Sequence, residues 1–183
     1  MNLQEIIEEA DILVPNEIPT ADKVMQLNAI NQDFFNVVKI PKLYRFTGTA
    51  ADEYTLPSDV REKNIDYAQI GVLKYRSLDS DIVAPLQNVF SFDDETSKLT
   101  LSPAPYTSGL QGIVRYYRIA TTTFVSTNLN VTPDAPAEYH WTFVPALASW
   151  LANTQNDSGN AANYEAQYRS AWNTAAQNYG GGT

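Results

Sequence analysis

The sequence predicts an α+β chain in which N-terminal and C-terminal helices form a helical bundle and a small antiparallel β-lobe is inserted between them. Three observations predict this. Apolar residues recur at helical spacing near both ends of the chain. In the middle they alternate with polar residues, the period of strands with one buried face. Prolines and glycines fall where one pattern gives way to the other. Residues 98–119, KLTLSPAPYTSGLQGIVRYYRI, show the middle pattern best. Leu99 and Leu101 alternate with Lys98, Thr100 and Ser102. Pro103 and Pro105 then end the strand, because proline cannot donate to a ladder. Gly109 and Gly112 permit a turn, and residues 113–119 form a second run of β-branched and aromatic residues. Residues 1–42 and 132–183 are read as the helical body, and 43–131 as the lobe, of one continuous chain.

The first helix rests on Leu3, Ile6, Ile7 and Ala10, spaced i, i+3, i+4, i+7, with Glu5, Glu8 and Glu9 pointing elsewhere. Pro15 and Pro19 bracket a connector. Thr20 is placed as N-cap of the second helix, with Asp22 in its first turn. Its stripe is Val24, Leu27, Ile30, Phe34, Val37 and Val38, widened by Met25 and Phe35. That helix is expected to run to Lys39, because Pro41 excludes the helical region just before it.

The β part is expected to begin at residues 44–47 and to hold five to seven short strands. Tyr54 and Leu56 mark one. Residues 65–75 hold one or two, broken near Gly71, and residues 78–86 are ambiguous. Phe90 and Phe92 mark another, joined by the turn Asp93-Asp94-Glu95-Thr96-Ser97 to residues 98–102. Residues 120–131 read as a threonine-rich linker, after which Thr132 or Asp134 caps a helix over 137–153. Pro145 should kink that helix or split it in two. The last helix, over 161–179, carries Tyr164, Tyr168, Trp172, Ala175 and Tyr179 on one side.

Composition excludes several classes. A chain of 183 residues with 44% hydrophobic and 18% charged residues buries a real core. The net charge of −9 argues against a sequence-independent nucleic-acid binder, which needs a clustered basic face. Without cysteine there is no disulfide framework and no thiolate metal site. Residues 1–10 contain no Lys or Arg and do not read as a signal peptide, and no run is long enough to span a membrane. A soluble protein made inside the cell is expected.

The search for catalytic chemistry is negative. His140 is the one histidine, and no nucleophile elbow, phosphate loop or dinucleotide fingerprint accompanies it. It reads as structural or partly exposed. Asp93, Asp94 and Glu95 lack the spacing of a calcium loop and read as a solvated hairpin tip. Arg115 and Arg118 fall on opposite faces of a strand and do not make one basic patch. Catalytic, metal and cofactor sites are therefore expected to be absent, and the protein is read as not an enzyme.

Taken in order, the segments resemble the head–tail connector proteins of tailed bacteriophages, also called adaptor or head-completion proteins. The resemblance is carried by TGTAADEYTLP at 47–57, SKLTLSPAP at 97–105, IVRYYRI at 113–119, AEYHWTFVPALASWL at 137–151, ANYEAQYRSA within 161–171, and an early helix over 22–38. Pro145 departs from the pattern of a straight closing helix. The resemblance implies a virion neck protein made in the host cytoplasm. It implies a homo-oligomeric ring, commonly of twelve copies, that sits under the portal protein and joins it to a tail or nozzle protein. DNA passes through the lumen without sequence-specific binding, and no membrane is involved. An acidic chain suits that role, since a negative wall repels phosphate.

The aromatic stripe of the last helix reads first as core and second as a docking surface; with the Met25 and Phe35 side of the second helix it offers more apolar surface than a monomer of this size needs, and surplus apolar surface marks interfaces. Candidate interface residues are Met25, Phe35, Pro103, Pro105, Tyr164, Tyr168, Trp172 and Tyr179. The two prolines are expected to stiffen the lobe where it meets a neighbour. The alternative is a β-rich carbohydrate- or receptor-binding module of a phage tail or secreted protein. Against it, Trp141, Trp150 and Trp172 all lie in predicted helices.

Overall fold

The computed structural model of the chain describes residues 1–78 and 88–180. It divides into two compact units, one of residues 1–39 with 120–183 and one of residues 40–119.

The first unit holds four helices: α1 (Leu3–Leu13), α2 (Thr20–Val37), α3 (Phe143–Thr154) and α4 (Ser158–Gly180). Helix α1 starts with a capping box, in which Asn2 and Glu5 satisfy each other's backbone N–H groups. It buries Leu3, Ile6, Ile7 and Ala10, the stripe the spacing predicts. Helix α2 corrects one expectation. Thr20 is its first residue, and Pro19 occupies the cap without a side-chain bond. The Pro19 carbonyl accepts from Asp22 N instead, at 3.0 Å. The helix ends at Val37, two residues short of Lys39, with Val38 as C-cap. Lys23 is buried on it and is held by both oxygens of Asp11 at 2.7 Å, which ties α2 to α1.

Helix α3 packs against the other three helices. Residues 137–142 form a tight 3-10 turn and the α-helix begins only at Phe143. Of the two outcomes expected from Pro145, the split is the one observed. Pro145 lies in the first turn of α3, where its missing N–H has no intrahelical acceptor to lose. Helix α4 begins at Ser158, three residues earlier than its apolar stripe suggests, with Asp157 accepting from Asn160 N at 3.2 Å.

Phe34 of α2 is the hub of this unit. Its ring lies 5.3 Å from Phe35, 5.5 Å from Trp172 of α4 and 6.3 Å from Phe143 of α3. The Trp172 Nε1–H donates to Thr142 Oγ1 at 2.9 Å, so the indole is buried with its polar atom satisfied. A second tie runs through Asp134. It caps no helix. Its carboxylate accepts from the N–H groups of Thr121 and Thr122 at 2.9 Å, from Thr122 Oγ1 at 2.7 Å and from Asn31 Nδ2 at 2.9 Å. Burial opposes ionisation there, but the donors win and hold the carboxyl below its ordinary pKa. Residues 129–131 also belong here: the Leu129 and Val131 carbonyls accept from Gln4 N and Leu3 N at the start of α1.

Among the described residues, the second unit is one curled sheet of seven strands: β1 (Pro41–Thr47), β2 (Glu53–Thr55), β3 (Ile65–Ile70), β4 (Leu73–Ser77), β5 (Val89–Asp93), β6 (Lys98–Ser102) and β7 (Gln111–Tyr117). Their order is β1-β7-β3-β4-β5-β6-β2. The expectation of a purely antiparallel sheet is corrected at one point: β4 and β5 run parallel, with Arg76 opposite Val89 and Ser77 opposite Phe90. Eleven residues separate these strands in sequence. That is far more than a hairpin needs and close to what a parallel crossover requires. The ambiguous segment 78–86 lies, apart from Leu78, outside the described residues. Strand β1 begins at Pro41, earlier than residue 44, and β7 covers 111–117 in place of 113–119.

The concave side of the curl buries Ala68, Ile70, Tyr75, Phe90, Leu99, Leu101, Val114 and Tyr116. Phe46 of β1 lies 4.9 Å from Tyr54 of β2, so the two edge strands approach across the core. Gly112 leaves room for the Phe46 ring: a Cβ there would stand 2.5 Å from Cζ, so the ring would have to shift. Gly71 turns β3 into β4 at φ 57°, a conformation that favours glycine. Among the described residues, no helix is long and apolar enough to cross a membrane.

Two outcomes are expected. Gly112→Ala overpacks the core against Phe46 and lowers unfolding stability by about 1–3 kcal/mol in urea titration. Asp134→Ala costs about 1–2 kcal/mol at neutral pH, through lost hydrogen bonds to a charged group that is partly solvated. Because the folded-state pKa of Asp134 is depressed, its contribution is complete above the unfolded carboxylate pKa of about 3.9 and disappears as pH falls through the folded value. The stability gap between wild type and Asp134→Ala should therefore be flat near neutrality and close in acid.

Candidate interaction site

The eight residues singled out from sequence do not form one patch. Phe35 is 3% exposed and Trp172 is 2% exposed, so both are spent on the core of the helical unit around Phe34. Met25, on the same helix as Phe35, is 66% exposed and remains on the surface. Tyr164, Tyr168 and Tyr179 are half-buried along α4. In the sheet unit, Pro103 is exposed and Pro105 is buried. The Pro103 carbonyl accepts from the buried Tyr75 hydroxyl at 3.1 Å.

Tyr168 and Trp172 are brought together at a surface depression. Their rings lie 4.7 Å apart, edge to face. They line a groove of about 190 Å³ with Ile30, Asp33, Trp150 and Glu165, framed by α2, α3 and α4. Arg169 bonds Glu165 at 2.6 Å and lies 5.5 Å from the Tyr168 ring. Burial pushes the Tyr168 hydroxyl pKa up, and the bond to Glu165 raises that of Arg169. The groove has an aromatic floor and two carboxylates at its rim. Nothing in it resembles a nucleophile with its base.

His140 is buried. Its Nε2 lies 2.8 Å from the Ala135 carbonyl, which can only accept, so Nε2 carries the proton. Among the described residues, no group of three or more His, Asp or Glu could hold a metal ion.

Strand pairing discloses a surface that spacing within single strands cannot. On the convex face of β1, β7, β3 and β4, Leu43 lies opposite Arg115 and Arg115 opposite Tyr67. In the next row Arg45 lies opposite Ile113, Ile113 opposite Gln69, and Gln69 opposite Lys74. Arg76 follows two residues after Lys74 on the same face. Lys74 Nζ sits 4.1 Å from the centroid of the Tyr67 ring. On the opposite face, Lys42 is neutralised: its Nζ bonds Asp59 at 2.7 Å, which raises its pKa. Arg115 thus belongs to a basic face, but its companions come from other strands and not from Arg118.

A protein-family model described as SU10 adaptor protein matches residues 1–182. The chain belongs to the SU10 adaptor protein family. The adaptor is thus a phage structural protein and a component of the virion. No curated protein matches the sequence. The family match spans both units of the adaptor.

The two classes of aromatic position separate in a stability measurement. Trp172→Ala in the adaptor should cost about 3–5 kcal/mol, through the cavity left beside Phe34 and the loss of the indole's bond to Thr142 Oγ1, which keeps its own bond to the Tyr139 carbonyl. Met25→Ala should stay within about 0.5 kcal/mol. Thermal and urea unfolding of the two variants check this.

Proposed function

We propose that the adaptor is a head–tail connector: a ring under the portal, commonly of twelve copies in such proteins, that joins portal to tail and surrounds the path of the DNA. The observation that carries this reading is the family match over residues 1–182. Physical features support it. The chain carries a net charge of −9, which disfavours retention of a passing polyanion. Its polar groups are used to tie segments together. Asp134, Thr142 and Lys23 each hold two parts of the chain in a fixed relation. A connector needs such fixed relations, because it transmits position between two partners and performs no reaction on either.

The interface residues follow from exposure. Met25 and Pro103 are accessible to a partner, and Tyr168 offers an aromatic edge at the groove. Phe35, Trp172 and Pro105 act by holding the surfaces that carry them. In this reading the sheet unit is the projecting lobe and the helical unit forms the ring body.

The test is electron microscopy of the adaptor mixed with portal rings of the same phage. Closed rings seated on portal are expected, and phage lacking the adaptor should accumulate DNA-filled heads without attached tails. Normal tail attachment in its absence would overturn the reading. In the same mixture Pro103→Ala should weaken attachment to portal or tail more than it lowers the unfolding midpoint.

A further inference from the structure

Most of the net negative charge of the adaptor falls in one of its units. Residues 40–119 contain nine Lys and Arg against ten Asp and Glu. The remaining residues contain three against eleven, so the helical unit accounts for eight of the nine net negative charges. Two surfaces concentrate this difference. The first is the convex face of β1, β7, β3 and β4, with Arg45, Lys74, Arg76 and Arg115 around Leu43, which is 49% exposed. Asp66 is the one carboxylate in these four strands, 3.4 Å from Arg115. The second is the outer face of α1. Glu5, Glu8, Glu9 and Ile12 recur there at i, i+3, i+4, i+7, opposite the buried stripe. All four are exposed, Ile12 by 72%, and α1 contains no Lys or Arg.

The two surfaces match in kind. Each sets an exposed branched aliphatic side chain among charges mostly of one sign, and the prevailing signs are opposite; the exceptions are Asp66 beside Arg115 and the Met1 ammonium 3.9 Å from Glu5. They also match in size. Seven residues of helix span about 10 Å, and four strands span about 14 Å. Arg, which occurs three times on the sheet face, and Tyr, present there as Tyr67, are enriched where proteins associate.

We propose that the convex sheet face of one adaptor copy docks on the outer face of α1 of the next copy. Leu43 packs on Ile12, and Arg45, Lys74, Arg76 and Arg115 surround Glu5, Glu8 and Glu9. Because the two patches are different, each copy keeps one of each open, and the contact repeats from copy to copy. A repeating contact of this kind closes into a ring when its rotation divides a full turn. The charges set the register and the approach, while the aliphatic pair is the dry centre. The inference rests on the ring reading above and names the surfaces that would build it. A passing DNA duplex is the less favoured occupant of the basic face: the chain as a whole repels it, and the exposed Leu43 at the centre offers it nothing.

The absence of cysteine makes a direct test possible. Ile12→Cys and Leu43→Cys are made in separate chains, mixed, assembled with portal and oxidised. A cross-linked dimer is expected from the mixture and from neither variant alone. Adding Glu8→Lys and Glu9→Lys to the Ile12→Cys chain should lower its yield about tenfold, and adding Arg45→Glu and Lys74→Glu to the Leu43→Cys partner should restore it. Circular dichroism of each variant confirms folding, which these exposed positions should not disturb. Rings on portal without the cross-link would overturn this interface and leave the ring reading standing. Failure of the wild-type chain to form rings under any condition would overturn both. Loss of duplex DNA binding in Arg45→Glu/Lys74→Glu, with no cross-link in the mixture, would assign the face to nucleic acid and overturn the proposal.

Discussion

The helical unit depends on one aromatic contact made across most of the chain. Phe34 comes from the second helix, and its neighbours Phe143 and Trp172 come from the last two. Phe35 and Tyr168 lie against these rings from their own helices, but only the long-range contacts join three helices, and the indole among them is buried with its N–H donated to Thr142 Oγ1. The 3-10 turn over residues 137–142 brings Thr142 to that point. An extended α-helix through Pro145 would have placed the hydroxyl elsewhere. The capping of α1, the Lys23–Asp11 pair and the Asp134 bonds all fasten segments around this centre.

That dependence explains what sequence could and could not disclose. Burial along α1 and the strand pairs at 65–77 and 89–102 are local properties. They follow from spacing and turn residues, and the structure reproduces them. Phe35 and Trp172 were ambiguous for the same reason. A stripe records that side chains share a direction, not whether another part of the chain lies in that direction. Here the other part does, and the apparent surplus shrinks to Met25 and the tyrosine edges of α4. Asp134 was misread because a helix cap and a loop clamp use the same carboxylate–amide bond, and only the fold says which amides are near. The parallel pairing of β4 with β5 likewise depends on a connection whose path no periodicity describes.

The candidate surfaces divide along the same line. Met25 could be named from its place on a helix, though not told apart from the buried Phe35. The basic face of the sheet could not, because Arg45, Lys74 and Arg115 belong to three strands that the chain reaches in the order β1, β4, β7. Each looks like an isolated surface cation in the sequence. Strand order turns them into neighbours. A chain of overall negative charge thereby acquires a positive surface of defined shape, an arrangement suited to recognition where attraction must be local.

The distance along the chain between Asn31 and Asp134 has a consequence for synthesis. These partners are 103 residues apart. At about 5–20 residues per second, the ribosome makes the second of them on the order of 5–20 s after the first. During that interval α1 and α2 have been made but their aromatic and carboxylate partners have not. The curled sheet, whose strands all lie within residues 40–119, can close meanwhile from its own contacts. The helices at the start of the chain are thus the first to be made and among the last to be completed.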